Sequence, residues 1–276
     1  MNAPGAAALG QLADSLRVHG LGGARVLLVA GSGLGALAES VEGGRRVPFS
    51  ELDGMPASTV AGHAGAFVRG RLAGVEVLLQ LGRAHLYEGI PPDRAVLGVR
   101  VLGRLGVRTL VVTNAAGAID ESLRPGQLVL ISDHVNLLGA SPLVGPNDDV
   151  LGPRFPDMSD AYDPALRARA RDAASGLGHE VGEGVYGAWL GPQFETPAEI
   201  RYMRAIGCDL AGMSTVPEVI AARHMGVRCL GISVVTNMAA GVVEGRLDHE
   251  AVLAVAAEAG PRLTSLLRAL LPDLAA

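Results

Sequence analysis

The chain contains no lysine: all 23 of its basic side chains are arginine. A Walker-type phosphate loop, a pyridoxal Schiff base and a lysine aldolase are therefore excluded, because each needs a lysine amine. Any anion must be held by arginine, histidine, hydroxyls and backbone N–H groups. Cysteine is nearly as scarce. Cys208 and Cys229 lie in or beside apolar segments without CxxC spacing, so a disulfide framework is not expected and a reducing, cytoplasmic setting is. Both read as small buried hydrophobes. Aromatics make up only 3% of the chain, which shifts the core toward Val, Leu and Ala. No run of basic residues occurs and the net charge is −5, arguing against a nucleic-acid partner. No charge-free apolar stretch approaches the ~20 residues that span a bilayer, and the N-terminus lacks a basic region followed by an apolar block. A soluble protein without membrane association is expected. No metal-ligand signature stands out.

What is present is ample apolar material, 49% of 276 residues, enough for one large α/β domain spanning residues 1–276. Helical spacing covers Ala6–Val18. Continuous apolar runs suit buried strands at 24–30, 108–117 and 127–134. Residues 65–72 and 75–81 read as a hairpin turning at Ala73-Gly74. Prolines open a helix near residue 91 that ends at Gly106. Residues 136–163, rich in Pro, Gly, Asp and Ser, form a connection too long to be incidental. A helix at 164–176, a strand at 180–191, helices at about 196–207 and 216–225, a strand at 227–237 and a helix at 250–271 complete the chain. This alternation predicts an α/β fold with a largely parallel sheet.

Polar and aromatic residues beside glycine or proline gather at the ends of these strands, where scaffolds place ligand contacts. Gly31-Ser32-Gly33-Leu34-Gly35 follows a buried strand and is read as opening an Ala/Leu helix, an arrangement that suits an anion. The same residues fit a relaxed dinucleotide pattern, with Glu51 suitably placed downstream. The segment GRAHLYEG sets Arg83, His85, Tyr87 and Glu88 after an apolar strand, offering a forked cationic donor and an imidazole. His63 lies in a glycine-flanked loop. Asn114-Ala115-Ala116-Gly117 closes a strand in a small-residue turn that exposes backbone N–H groups. Phe194, Glu195, Met213, Ser214, Thr236 and Asn237 combine a ring, a carboxylate and a carboxamide, a set that suits a flat hydrogen-bonding heterocycle.

In order and spacing, GSGLG, GHAG at 62–65, GRAHLYEG, TNAAG, FPDMSDAYD, GPQFETPAEIR, GMSTVPE and VTNMAAG resemble the trimeric, low-molecular-mass purine nucleoside phosphorylases. The resemblance covers nearly the whole chain. It implies the phosphorylase/hydrolase-like fold, a mixed β-sheet flanked by helices, in a homotrimer. It implies that Ser32, Arg83, His85, the Ala115 N–H and Ser214 bind phosphate, with His63 gating it. Tyr87 and Met213 would hold the ribose and His249 its 5′-hydroxyl. Phe155 would close over the sugar in a neighbouring subunit's site. Phe194 would pack on the base, and Glu195 and Asn237, with Thr236 nearby, would bind its edge. One departure is Met238 after Asn237, where mammalian members resemble Asn-Lys.

The implied reaction is reversible phosphorolysis, with inorganic phosphate as co-substrate and no cofactor. Asn237, Glu195 and His85 would carry the catalysis. Three alternatives are a 5′-deoxy-5′-methylthioadenosine phosphorylase, a nicotinamide-dependent dehydrogenase resting on GSGLGA, and a non-catalytic purine-binding protein.

Overall fold

The computed structural model describes residues 4–31, 35–56 and 65–275. Helix α1 (Pro4–Val18) leads into β1 (Val26–Ala30), followed by β2 (Glu42–Pro48), β3 (Ala66–Leu72) and β4 (Val75–Leu81). Two short helices, α2 (Pro92–Ala95) and α3 (Leu97–Arg104), precede β5 (Thr109–Ala118) and β6 (Leu128–Asn136). Then come α4 (Pro164–Gly176), β7 (Val181–Ala188), α5 (Pro197–Ala205), β8 (Leu210–Gly212), α6 (Val216–His224), β9 (Arg228–Met238) and α7 (His249–Ala275).

Among the described residues the strands form one nine-stranded sheet, ordered β2-β3-β4-β1-β5-β8-β7-β6-β9, with β9 also pairing β5. The pairings thus return to β5, and strands 5, 8, 7, 6 and 9 close on themselves. Strand β5 is parallel to β1 and β9 but antiparallel to β8, and β6 is antiparallel to β9. The sheet is therefore mixed, as the family resemblance implies, and the largely parallel sheet expected from helix–strand alternation is corrected. Alternation misses β2 because that strand is an exposed edge carrying glycines and arginines, and misses β8 because it is only three residues long.

The continuous apolar runs have a simple cause. Leu27 and Val29 of β1 face one core with α1, α3 and α6, whereas Val26, Leu28 and Ala30 face a second with α4 and α7. A strand covered on both faces has no solvent side on which to place polar residues. Both cysteines are free and buried, and burial pushes their thiols up to about 11 for Cys208 and about 12 for Cys229.

Helix ends follow local chemistry. Thr196 caps α5: its Oγ1 accepts from the Glu199 N–H at 3.2 Å, while Glu199 Oε2 accepts from the Thr196 N–H at 2.7 Å. Asp163 caps α4 through bonds to the Ala165 and Leu166 N–H groups. The connection from β6 to α4 carries no helix or strand. It is nevertheless tied down by buried Leu138, Leu151, Ala161 and Tyr162.

The glycine-rich stretch after β1 does not open the expected Ala/Leu helix. A six-residue 3₁₀ turn (Gly35–Ser40) follows instead. Glu51 sits in a second short turn (Phe49–Glu51) rather than ending a neighbouring parallel strand. Among the described residues, no α-helix follows β1 to form the βαβ unit that a dinucleotide fingerprint requires.

Candidate active site

Strand β5 is paired with β1 only from Thr109 to Val112, and with β8 only at Gly117 and Ala118. Between those points one edge of β5 is open. The Thr113 carbonyl points into the gap, where it accepts from Arg83 Nη2. Strand alternation puts the Ala115 N–H on the same side. The asparagine–alanine segment is thus a continuing strand, in place of the small-residue turn expected from sequence, and it exposes backbone because its neighbours diverge.

A cavity of about 310 Å³ lies over this gap. Arg83, His85, Tyr87, Asn114, Ala115, Phe194, Glu195, Met213, Ser214, Thr236, Asn237 and His249 all line it. Twelve residues from six separate stretches of chain meet there. Ser32 and His63 lie outside the described residues. Phe155 is not in the lining: it is 89% exposed on the β6–α4 connection, with Arg154 over its ring.

One group of lining residues forms a cationic, donor-rich cluster. Arg83 is buried, and its Nη1 lies 2.6 Å from Glu218 Oε2 on α6. Burial raises the pKa of Glu218, an effect opposed by the adjacent Arg83, whose charge the carboxylate meets in a short bond. Glu88 caps the turn at residue 85, with Oε1 2.8 Å from the His85 N–H and 3.2 Å from Nδ1. Tyr87 stacks on the His85 ring at 4.7 Å, and burial raises its phenol pKa. Tyr186, buried behind the site, accepts from the Ser214 N–H at 3.3 Å. Its hydroxyl fills the space that a Cβ on Gly212 would need.

A second group offers a hydrogen-bonding edge. Glu195 is 7% exposed, and its Oε1 is buried without a protein partner. Desolvation raises its pKa. Thr236 Oγ1 is 2.9 Å from Asn237 Oδ1, and Asn237 Nδ2 donates to the Met238 carbonyl at 2.9 Å. Gly117 lies directly across: a Cβ there would sit 3.1 Å from Asn237 Nδ2. Phe194, 39% exposed, forms part of the rim.

Sequence reasoning assigned no role to Thr215, Glu218 or Tyr186. Glu218 had a usable signal, an acid inside the apolar VPEVIAA segment, where burial demands a cationic partner. The other two give no sign before folding.

The family model described as "Phosphorylase superfamily" matches residues 25–272. Purine nucleoside phosphorylase 1 of Geobacillus stearothermophilus is 53% identical over 226 residues, covering 82% of either chain. A crystal structure of the Schistosoma mansoni purine nucleoside phosphorylase with inosine superimposes at a TM-score of 0.91, with 35% identity, over 96% of this chain and 95% of that one. Isoform 2 from the same organism, solved with cytosine and ribose-1-phosphate, also gives 0.91, at 38% identity over 96% of each chain. With a mixed sheet of the same shape and matching sequence over most of its length, the chain belongs to the purine nucleoside phosphorylases of the phosphorylase superfamily.

Proposed function

We propose that the cavity takes a 6-oxopurine nucleoside, inosine or guanosine and their 2′-deoxy forms, together with inorganic phosphate as co-substrate, without a cofactor. Phosphorolysis of purine nucleosides is the reaction of the family to which the chain belongs. The finer reading rests on one observation: a buried carboxylate oxygen of Glu195 has no protein partner, in a cavity that also holds Arg83 and Ser214. A buried acceptor left unpaired is costly unless a ligand satisfies it.

Phosphate is already a nucleophile, so the site's task is to hold it beneath C1′. In the roles proposed, Arg83, Ser214, His85 and the Ala115 N–H bind the anion, joined by Ser32 and gated by His63. Tyr87 and Met213 hold the ribose, and His249, exposed at the start of α7, reaches its 5′-hydroxyl. A phosphate oxygen bonds to C1′ as the C1′–N9 bond breaks, and that electron pair passes to the purine. Holding two reactants in line supplies ~7–11 kcal/mol of barrier lowering. The second Nδ2 proton of Asn237 is then donated to the N7/O6 edge as charge builds on the ring, worth ~3–4 kcal/mol for a well-placed donor. Phe194 packs on the base.

Ionised Glu195 accepts from the N1–H of a 6-oxopurine. Adenine presents a lone pair at N1, leaving two acceptors opposed, and mismatches of this kind discriminate by ~10⁴-fold or more. Phe155, exposed and absent from the lining of this chain's own cavity, supports a homotrimer in which it closes a neighbour's site. A cytoplasmic enzyme fits the buried free cysteines and the lack, among the described residues, of a helix long and apolar enough to cross a membrane.

Incubation of inosine with and without inorganic phosphate is the direct test. Hypoxanthine and ribose 1-phosphate should appear in equal amounts, and only with phosphate. Base release without phosphate would mean a hydrolase, and binding without turnover a non-catalytic purine-binding protein.

A further inference from the structure

Thr215 has φ +68° and ψ −54°, and the Val216 N–H closes on the Ser214 carbonyl at 2.7 Å. This three-residue turn is the rare, strained γ form. Glycine adopts such a backbone freely, whereas a β-branched residue is among the least suited to it. Ala73 shares a positive φ, but it lies in the β3–β4 turn, whereas Thr215 is 1% exposed beside the cavity. A strained backbone that keeps threonine where glycine would fit points to a use for the side chain.

Its surroundings show what the use is. Thr215 Oγ1 accepts from Asn114 Nδ2 at 2.8 Å and from Arg83 Nη1 at 3.4 Å. Ser214 Oγ lies 3.1 Å away on a third side. A hydroxyl has two lone pairs and one proton. The NH2 end of Asn114, which faces Thr215, and the guanidinium only donate, so they occupy both lone pairs, and in this arrangement the Thr215 proton goes to Ser214 Oγ. Ser214 then accepts from Thr215, and its own proton is left to point into the cavity that it lines. Glu218 holds Arg83 Nη1 at 2.6 Å and so helps keep that guanidinium on station.

We propose that Thr215 is a positioning residue that orders the hydroxyl protons of this cluster, so that Ser214 meets the bound anion as a committed donor. The inference rests on the phosphorolytic reading of the cavity. The opposite order, with Ser214 donating to Thr215, would present a lone pair to phosphate and repel it.

The test is steady-state phosphorolysis of inosine by Thr215→Val, Thr215→Gly and Thr215→Ser, varying inorganic phosphate and inosine separately. Valine keeps the shape and removes the hydroxyl. Glycine removes the hydroxyl and also relieves the backbone, so it stays folded if valine does not. Both should raise the phosphate KM by about ten- to hundred-fold, the range expected for a lost hydrogen bond to a charged group, with the inosine KM little changed. Serine should restore the wild-type phosphate KM to within about two-fold. In a Ser214→Ala background, Thr215→Val should add less than about two-fold, because the effect passes through Ser214. An unchanged or lowered phosphate KM in the valine and glycine variants would overturn the inference, as would independent multiplication of the two substitutions. If wild-type cleavage does not depend on phosphate, the functional reading itself fails. If it does and only the variants behave otherwise, the proton ordering fails alone.

Discussion

Thr236 Oγ1 stands 2.9 Å from Asn237 Oδ1, at the oxygen end of a carboxamide whose orientation a neighbouring carbonyl fixes. The Met238 carbonyl, an obligate acceptor, lies 2.9 Å from the other terminus, so that terminus is the amine. Neighbouring side chain and backbone thus set a donor in place before any base arrives. Such preorganisation is what makes a polar group effective when charge develops.

Asn237→Asp sets a carboxylate oxygen against the Met238 carbonyl and removes the donor. The kcat/KM for inosine should fall by about 100-fold or more, and preference should move toward adenosine, whose 6-amino group an aspartate accepts. Parallel kinetics on the two nucleosides check this. Unchanged inosine turnover would rule out the proposed contact.

Glu195 gives a pH dependence with a definite sign. Burial penalises the carboxylate, so the group holds its proton to a higher pH than the ordinary value of 4.5. Once protonated it faces the purine N1–H as a second donor. The kcat/KM for inosine should therefore fall as pH drops through a value above 4.5. Glu195→Gln should flatten that acidic limb, and a variant with the same limb would place the titration elsewhere. The folded protein binds this proton more tightly than the unfolded chain does. The stability linked to it is full below the unfolded pKa and is lost as pH rises through the folded one.

Phe155 separates folding from assembly. At 89% exposure it packs little in its own chain, so Phe155→Ala should change unfolding free energy by no more than about 0.5 kcal/mol. In the proposed trimer it should still raise the inosine KM, while sedimentation reports a particle of three chains for both proteins. A monomer, or an unaltered KM, would remove Phe155 from the site.

Legibility in the sequence tracked how local the cause was. The strand over residues 26–30 and the cap at Thr196 depend on neighbours within a few positions, and both are readable from composition and spacing. Edge strand β2 was not, because an exposed Gly-Gly-Arg-Arg run has no periodicity. Asn114 through Gly117 looked like a turn for the same local reason, its small residues, although pairing with β9 carries the strand through to Ala118.

By itself, then, the sequence determined the family, most of the elements, and the exclusion of lysine chemistry, since these depend on residue identity and order. Only the tertiary structure decided that β5 parts from β1 after Val112 and opens an edge there. It alone decided that Glu218 pairs with Arg83, 135 positions away, and that Thr215 lies between Asn114 and Ser214. Such contacts depend on how strands diverge and which faces meet, and no local run of residues encodes them.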